Sequence, residues 1–495
     1  MAYARKQGIM CSSYIDDIFN KAAKIDLCHK NTTTLMTLLR QLGFIPNEQK
    51  SHLLPTKQLV HLGRLYNTTE MSVMVPPQKL QRISATALSI KTKQYVSLRQ
   101  VAHILGLIED ARAAMTIAAS HYRGLQQQLT HNLAHHSWDY HIQLNQASEE
   151  DLSWWIHKAA NFNGRPIQTV SPDMVIQSDA SLVGWGAVCA NKTVQGRWTQ
   201  QEKSHHINVL EILAAKLAIQ SFLQDKSKME VKLQMDNTTA VAYLKHQGGS
   251  RSQSLCKVAL QIWQFCEQRS INLTVEHLPG RNHTSLTVKS KIKHTNSPGF
   301  LDCHDYQLDT KIFQRICDHF YQPEIDLFAS RITKQLPQFV SWKRSPQAFA
   351  VNAFTLRWTG KSIYMFPPPP LISRCLQKLR IDQARAIVIT PVWPQSPWYP
   401  LLLQMSCQKP LLLPRHKNLL IEPHTGKPPR INLMPLAAWL LSGNTTETWE
   451  FQKQQQKYYS KLSAEGHLSN MTSSGENMLA GVINRKQIQF LVLSQ

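Results

Sequence analysis

Hydrophobic and polar positions change their period several times along this chain, and each change predicts a different kind of element. In NTTTLMTLLRQLGF, Leu35, Leu38, Leu39 and Leu42 recur at helical spacing and Gly43 follows as a stop, which predicts an amphipathic helix. QLVHLGRLYN predicts one short strand. Residues 79–160 return to helical periodicity, with SLRQVAHILGLIEDARAAM and the Trp154-Trp155 pair of EEDLSWWIHKAA, and NFNGRPI marks a boundary. From 173 to about 280 the pattern runs strand, strand, helix, strand, helix, strand, through MVIQSDAS, GWGAVCAN, VLEILAAKLAIQSFL, EVKLQMDN, QSLCKVALQIWQFCEQR and NLTVEHLPG. That is a compact α/β domain. Residues 294–322 read as a connector, and a second α/β run follows with EIDLFAS, SIYMFPPPP, LISRCLQKLRI and RAIVIT. Pro367 to Pro370 form a rigid loop after a strand, and Trp393 and Trp398 read as core or loop anchors. The glutamine-rich tail from 443 is expected to be weakly ordered.

Two sets of acids stand out against this pattern. In CSSYIDDIFN, Asp16 and Asp17 interrupt a stretch otherwise apolar enough to be a buried strand, and buried carboxylates are costly unless a metal or base holds them. In the middle domain Asp179 ends one strand, Glu211 lies within the first helix, and Asp236 ends a later strand before Asn237. Strand ends and a packed helix can converge on one sheet edge, and carboxylates gathered there repel unless divalent cations sit among them. Each acid alone could equally cap a helix or pair with a surface lysine. The ordered set is far more specific than any member.

Composition narrows the partner. With 55 lysines and arginines against 32 acids the formal charge is +23 and the isoelectric point about 9.7, which favours a polyanion such as nucleic acid. A length of 495 residues, 42% of them hydrophobic, is enough for two to four globular domains. Nine cysteines without a C-x-x-C pair fit a reducing compartment. Cys303, His304, Cys317 and His319 match no usual zinc spacing. No apolar run is long enough to span a membrane and MAYARKQGIM is no signal peptide, so the expected location is intracellular, cytoplasmic or nuclear.

The motifs together carry a resemblance. YIDD, LGFIPNEQKS and LVHLGRLYN, then SDASLVGWGAV, NVLEILAAKLA, QMDNTTAVAYL and HLPGR, resemble the polymerase–ribonuclease H polyprotein of retrotransposons, most of all the DIRS type that moves with a tyrosine recombinase. PEIDLFASRITKQLPQFVSW, TPVWPQSPWYPLLL and AWLLSG extend the resemblance, which covers residues 8–442. It implies an α/β multidomain fold. The expected parts are a partial reverse transcriptase palm (1–78), a helical thumb or connection (79–168), a ribonuclease H-like α/β domain (169–293), a connector (294–321), a second α/β domain typical of DIRS elements (322–442) and the polar tail (443–495).

For the site residues the resemblance implies the following. Asp16 and Asp17 were metal-site acids on a polymerase hairpin tip, Lys50 belongs to the next palm motif as a substrate-binding residue, and Leu62-Gly63 to a primer-gripping hairpin. Such a palm needs a further aspartate and a nucleotide-binding segment upstream, and only thirteen residues precede Tyr14, so this chain alone is not expected to polymerise. Asp179, Glu211 and Asp236 match three ribonuclease H ligands for Mg2+, with Mn2+ as a substitute, and His277 matches a mobile histidine that assists product release. The fourth acid falls at Thr287, a much weaker ligand, while His283 is either a substitute ligand or a solvated loop histidine. Asn237, Thr238, Arg281 and KSKIK at 289–293 are candidates for binding an RNA–DNA hybrid, which is read through phosphates and 2′-hydroxyls.

Relatives of the last α/β region have been likened to a DNA adenine methyltransferase. In MFPPPP, however, Phe366 takes the polar position of the base-gripping motif, no glycine-rich loop precedes it, and Asn352 replaces an acid. Methyl transfer is therefore not expected. The function expected is that of a retrotransposon-derived reverse transcriptase/ribonuclease H fragment that binds hybrid, with Mg2+-dependent cleavage of its RNA strand if the acids suffice. The alternatives are a catalytically decayed nucleic-acid-binding remnant and a truncated gene model of a full reverse transcriptase.

Overall fold

The computed structural model describes residues 2–168, 170–278, 306–416, 418–423, 427–428, 435–456 and 479–493. The chain forms a mixed α/β, multidomain protein of two compact units, Met1–Pro172 with Lys245–Gln268, and Asp173–Leu244 with Arg269–Gln495.

In the first unit the YIDD segment is not a buried strand. Met10–Tyr14 and Asp17–Lys21 pair antiparallel, Tyr14 opposite Asp17, so Ile15 and Asp16 are the two turn residues and both aspartates are exposed. A two-residue turn leaves no core around its tip, and Ile15 is 87% exposed with φ +52°. The helix expected around Leu35 runs Ile25–Gln41, buries Leu35 and stops where Gly43 takes φ +83°. QLVHLGRLYN forms two strands rather than one, Gln58–His61 and Arg64–Asn67, because Leu62 (φ +48°) and Gly63 (φ +69°) turn the chain back on itself.

Helices Pro77–Lys91, Leu98–Arg112, Arg123–Leu133 and Gln146–His157 follow, the second opened by a Ser97–Gln100 capping box. Buried Asp151 accepts a hydrogen bond from the Leu125 N–H (3.0 Å) at the start of the third. A Cβ on Gly124 would meet the Ala147 carbonyl carbon and oxygen at 2.6 Å, which is why that turn carries glycine. Helix Gln253–Gln268 belongs to this unit as well: Glu267 accepts from Trp154 Nε1 (2.7 Å) and bonds His121 Nε2 (2.9 Å), whose ring stacks on Trp154.

The described residues of the second unit carry two large sheets beside shorter two-stranded ones. The first has five strands in the spatial order Lys192–Arg197, Gly184–Cys189, Met174–Ala180, Glu230–Met235, Asn272–His277. The first three are antiparallel neighbours and the last three parallel ones. Lys192–Arg197 escaped the pattern because it is an edge strand in which only Val194 is buried. Helix Ile207–Leu223 packs on this sheet and is buried nearly all round, which explains the lack of a polar face in VLEILAAKLAIQSFL.

The second sheet has six strands in the order Ile325–Asp326, Ser362–Met365, Arg385–Pro391, Leu436–Ser442, Leu411–Leu412, Leu491–Val492. Cores lie on both its faces, with Val388 and Trp439 on one and Ile387, Ile389 and Leu440 on the other, so RAIVIT is apolar without alternation. Two expectations are corrected for the described residues alone. The late connector holds a strand, Gln307–Leu308, and an amphipathic helix, Thr310–His319, capped by Asp309, whose Phe313, Ile316 and Cys317 face the core. The tail contributes helix Thr445–Gln454 and strands Leu479–Ile483 and Lys486–Gln489, with Phe451, Ala480, Ile488 and Phe490 in the core. Sparse apolar residues far apart in sequence did the ordering, below the reach of composition.

Trp398 is buried and Trp393 partly buried against the same core. Burial pushes the Cys317 thiol up to about 12, His319 is exposed, and among the described residues neither joins a metal-like cluster. Cys303 and His304 lie outside the described residues. Among the described residues no helix is long and apolar enough to cross a membrane.

Candidate metal and nucleic-acid site

The five-stranded sheet brings together three acids separated by 57 positions of sequence between first and last. Asp179 stands at the end of the central strand, opposite Gly186 of its antiparallel neighbour. Asp236 directly follows Met235, the last residue of the adjoining parallel strand. Parallel neighbours end at the same sheet edge, so both carboxylates emerge side by side. Glu211 reaches the same place from the second turn of helix Ile207–Leu223. One carboxylate oxygen from each of the three lies within 4.8 Å of the others, with Asp179 2% and Glu211 5% exposed and Asp236 half-buried. Among the described residues this is the only such group.

The loop after Asp236 is tied down by Asn237. Its side chain accepts from the Ala240 N–H (2.9 Å), capping helix Thr238–Lys245, and donates to Asn208 Oδ1 (3.0 Å) on the acid-bearing helix. Asn208 is in turn held by its own N–H, which donates to His206 Nδ1 (3.2 Å) at the helix cap. Asn208 and His206 were not singled out from sequence. The H-x-N spacing before LEILA was the available signal, and it is weak. Thr238 is exposed beside Asn237. His277 ends the strand parallel to Glu230–Met235, is exposed, and its Nε2 lies 3.1 Å from the Asp236 carbonyl oxygen.

The donor set suits a hard divalent cation. Three carboxylates and no sulfur or imidazole within the triad favour Mg2+ or Mn2+ over zinc or copper. Asp16 and Asp17 are exposed on the first unit's hairpin and join no group of three ligands among the described residues. Lys50 ends the short turn Glu48–Lys50, its backbone N–H donating to Asn47 Oδ1 (3.2 Å), its side chain exposed. Arg281, His283, Thr287 and the run 289–293 lie outside the described residues. In the last α/β region Phe366 packs against the core, while Asn352 (φ +66°) accepts from the Phe354 N–H and caps a short 3-10 turn.

No family model matches the chain. No curated protein matches it. Among solved structures, it is similar to a foamy viral protease–reverse transcriptase in complex with RNA/DNA hybrid (15% identity, 62% of this chain and 40% of that chain, TM-score 0.31). The same viral protein with double-stranded DNA matches at 14% identity over 55% of each chain, TM-score 0.29. Its dRH form with double-stranded DNA matches at 14% identity over 56% and 47%, TM-score 0.29. The chain spans about half the length of the solved structures it matches.

Proposed function

We propose that this chain is a DIRS-type, retrotransposon-derived reverse transcriptase/ribonuclease H fragment that binds RNA–DNA hybrid and cleaves its RNA strand slowly with Mg2+. The observation that carries the reading is the convergence of Asp179, Glu211 and Asp236 within 4.8 Å at one edge of a sheet whose strand order is antiparallel on one side and parallel on the other. Bound there, a pair of Mg2+ ions would activate the attacking water and stabilise the leaving oxygen. The chain's own residues then have distinct tasks. Asp179 and Glu211, held on a strand and a buried helix, give the site a fixed geometry, and Asp236 supplies the more accessible carboxylate. Asn237 holds the Asp236 loop against Asn208, a positioning role. His277, exposed at the rim, is suited to move a proton or help product leave. Thr238 and Arg281 are proposed phosphate contacts, with Lys50 a further contact on the first unit. The two exposed acids Asp16 and Asp17 lack a third acid among the described residues, so polymerisation is not part of the proposal.

The test is cleavage of a labelled RNA–DNA duplex with Mg2+ and with Mn2+, with hybrid binding measured in parallel. Native protein should cleave weakly, Asp236→Asn should lose at least ~100-fold, as expected when a metal ligand is removed, and Thr287→Asp should gain by restoring an acid at the family's fourth position. Binding without cleavage in native and Thr287→Asp protein alike would support the decayed-remnant reading instead. Absence of both would overturn each.

A further inference from the structure

The second unit carries another feature at the opposite end of the five-stranded sheet. Val340-Ser341 and Ala350-Val351 pair as a short parallel ladder, and the loop between them projects two large aromatic side chains, Trp342 and Phe349, each 49% exposed. The loop is anchored. Phe349 N–H donates to the Phe339 carbonyl (2.7 Å), Ser341 Oγ donates to the Lys343 carbonyl, and Gln224 Nε2 donates to the Ala348 carbonyl (2.7 Å). That last bond sets the loop beside Lys226, whose ammonium touches Met174 Sδ (3.1 Å) at the start of the central strand. Lys192 lies at the same end, opposite Cys189 across the tight turn of the neighbouring hairpin. The surroundings agree: burial pushes the Cys189 thiol up, and the charges that oppose this are Lys226, Lys192 and Arg344.

Lys192, Lys226, Lys343 and Arg344 are exposed, and the ion pairs of the described residues involve none of them. Asp225, next to Lys226, is the acid nearest in sequence. From Met174 to Asp179 the strand advances five residues, about 17 Å at ~3.3 Å each, so this surface is separate from the carboxylates.

Half-exposed rings fixed on an anchored loop cost little entropy to use and offer flat faces. Duplexes hide their base faces, whereas single strands present them, and cations around the rings suit the phosphates between successive bases. We propose that this surface binds single-stranded nucleic acid, bases stacking on Trp342 and Phe349 and phosphates held by Lys192, Lys226, Lys343 and Arg344. The proposal is independent of whether the carboxylate site cleaves hybrid.

The experiment is fluorescence anisotropy of short labelled oligouridylate and oligothymidylate with the full chain. Native protein should bind both, and Trp342→Ala with Phe349→Ala should weaken binding roughly tenfold or more, in line with stacking losses per base. Arg344→Glu should weaken it and flatten its salt dependence. Thermal melts should show the loop variants folded. If native protein ignores single strands, or the loop variants bind them as well as native protein does, the proposal is overturned. It is overturned equally if polyglutamate displaces the oligonucleotide and removing the rings changes nothing, which would mark a surface for an acidic polypeptide. Hybrid cleavage assayed on the same loop variants separates this outcome from any failure at the carboxylates.

Discussion

Buried Asp151 and Asp326 show what a carboxylate does in this protein when no second and third acid stand beside it. Burial pushes Asp151 up to about 7, against the Leu125 and Gly124 N–H bonds that favour its charged form. Burial likewise pushes Asp326 up to about 7, though its two oxygens accept from Phe328 (3.3 Å) and Gln335 (3.1 Å). Both organise local backbone. A folded-state value raised from 3.8 means that the stability Asp151 contributes is fully present below about pH 4 and lost as pH rises through about 7. Asp151→Asn keeps an acceptor for Leu125 and removes this titration. Melting temperatures across that range should therefore diverge, the variant gaining on native protein as pH rises, and parallel curves would show that Asp151 does not titrate as described. Asp326 is the poorer choice, since its two bonds fall on different carboxylate oxygens and an amide would keep only one of them.

At the level of elements, strain and capping decide more than propensity. The Tyr14–Asp17 hairpin places β-branched Ile15 at φ +52°, a region that costs non-glycine residues about 1–2 kcal/mol. Ile15→Gly should remove that cost, less the extra freedom glycine gains when unfolded. The expected net gain of about 1 kcal/mol, if local opening governs exchange, would slow amide exchange across the hairpin about fivefold. Unchanged or faster exchange would mean the turn is not strained. In the second unit, Arg331 makes a bidentate pair with Glu202 (2.7 and 2.9 Å) and so ties the segment after Ile325–Asp326 to helix Gln200–Lys203. Burial alone would raise the Glu202 carboxyl, but Arg331 and the Thr199 bonds hold it below its ordinary value. The five-stranded sheet and the later α/β layer accordingly fall in one compact unit.

For the molecule as a whole the governing quantity is charge. A formal +23 spread over the surface gives nucleic acid a long-range attraction that does not need the acid site. Hybrid affinity should fall with salt at a log–log slope of about −0.9 per phosphate neutralised, losing at least ~10-fold between roughly 50 and 200 mM. Asp236→Asn should keep that slope while losing cleavage. A salt-independent affinity would remove the electrostatic basis of the reading.

The order of residues alone determines a good part of this protein. Period changes locate most of the helices and buried strands, because a helix or strand with one apolar face writes its repeat directly into the chain. Charge indicates the class of partner, and the order SDAS, LEILA, MDN singles out Asp179, Glu211 and Asp236. What the sequence could not decide was set by contacts between distant residues. The edge strand Lys192–Arg197 has one buried side chain to announce it, and the late hairpin Leu479–Ile483 with Lys486–Gln489 depends on Ile488 and Phe490 meeting a core formed more than forty residues earlier. The apolar pattern around Asp16 and Asp17 suggests a buried strand, whereas the resemblance puts them at a hairpin tip, where they stand, because pairing register and not hydropathy decides which residues a hairpin leaves at its tip. The convergence of the acids is tertiary for the same reason: parallel pairing of Met174–Ala180 with Glu230–Met235, and a helix packed across them, turn 57 positions of separation into 4.8 Å.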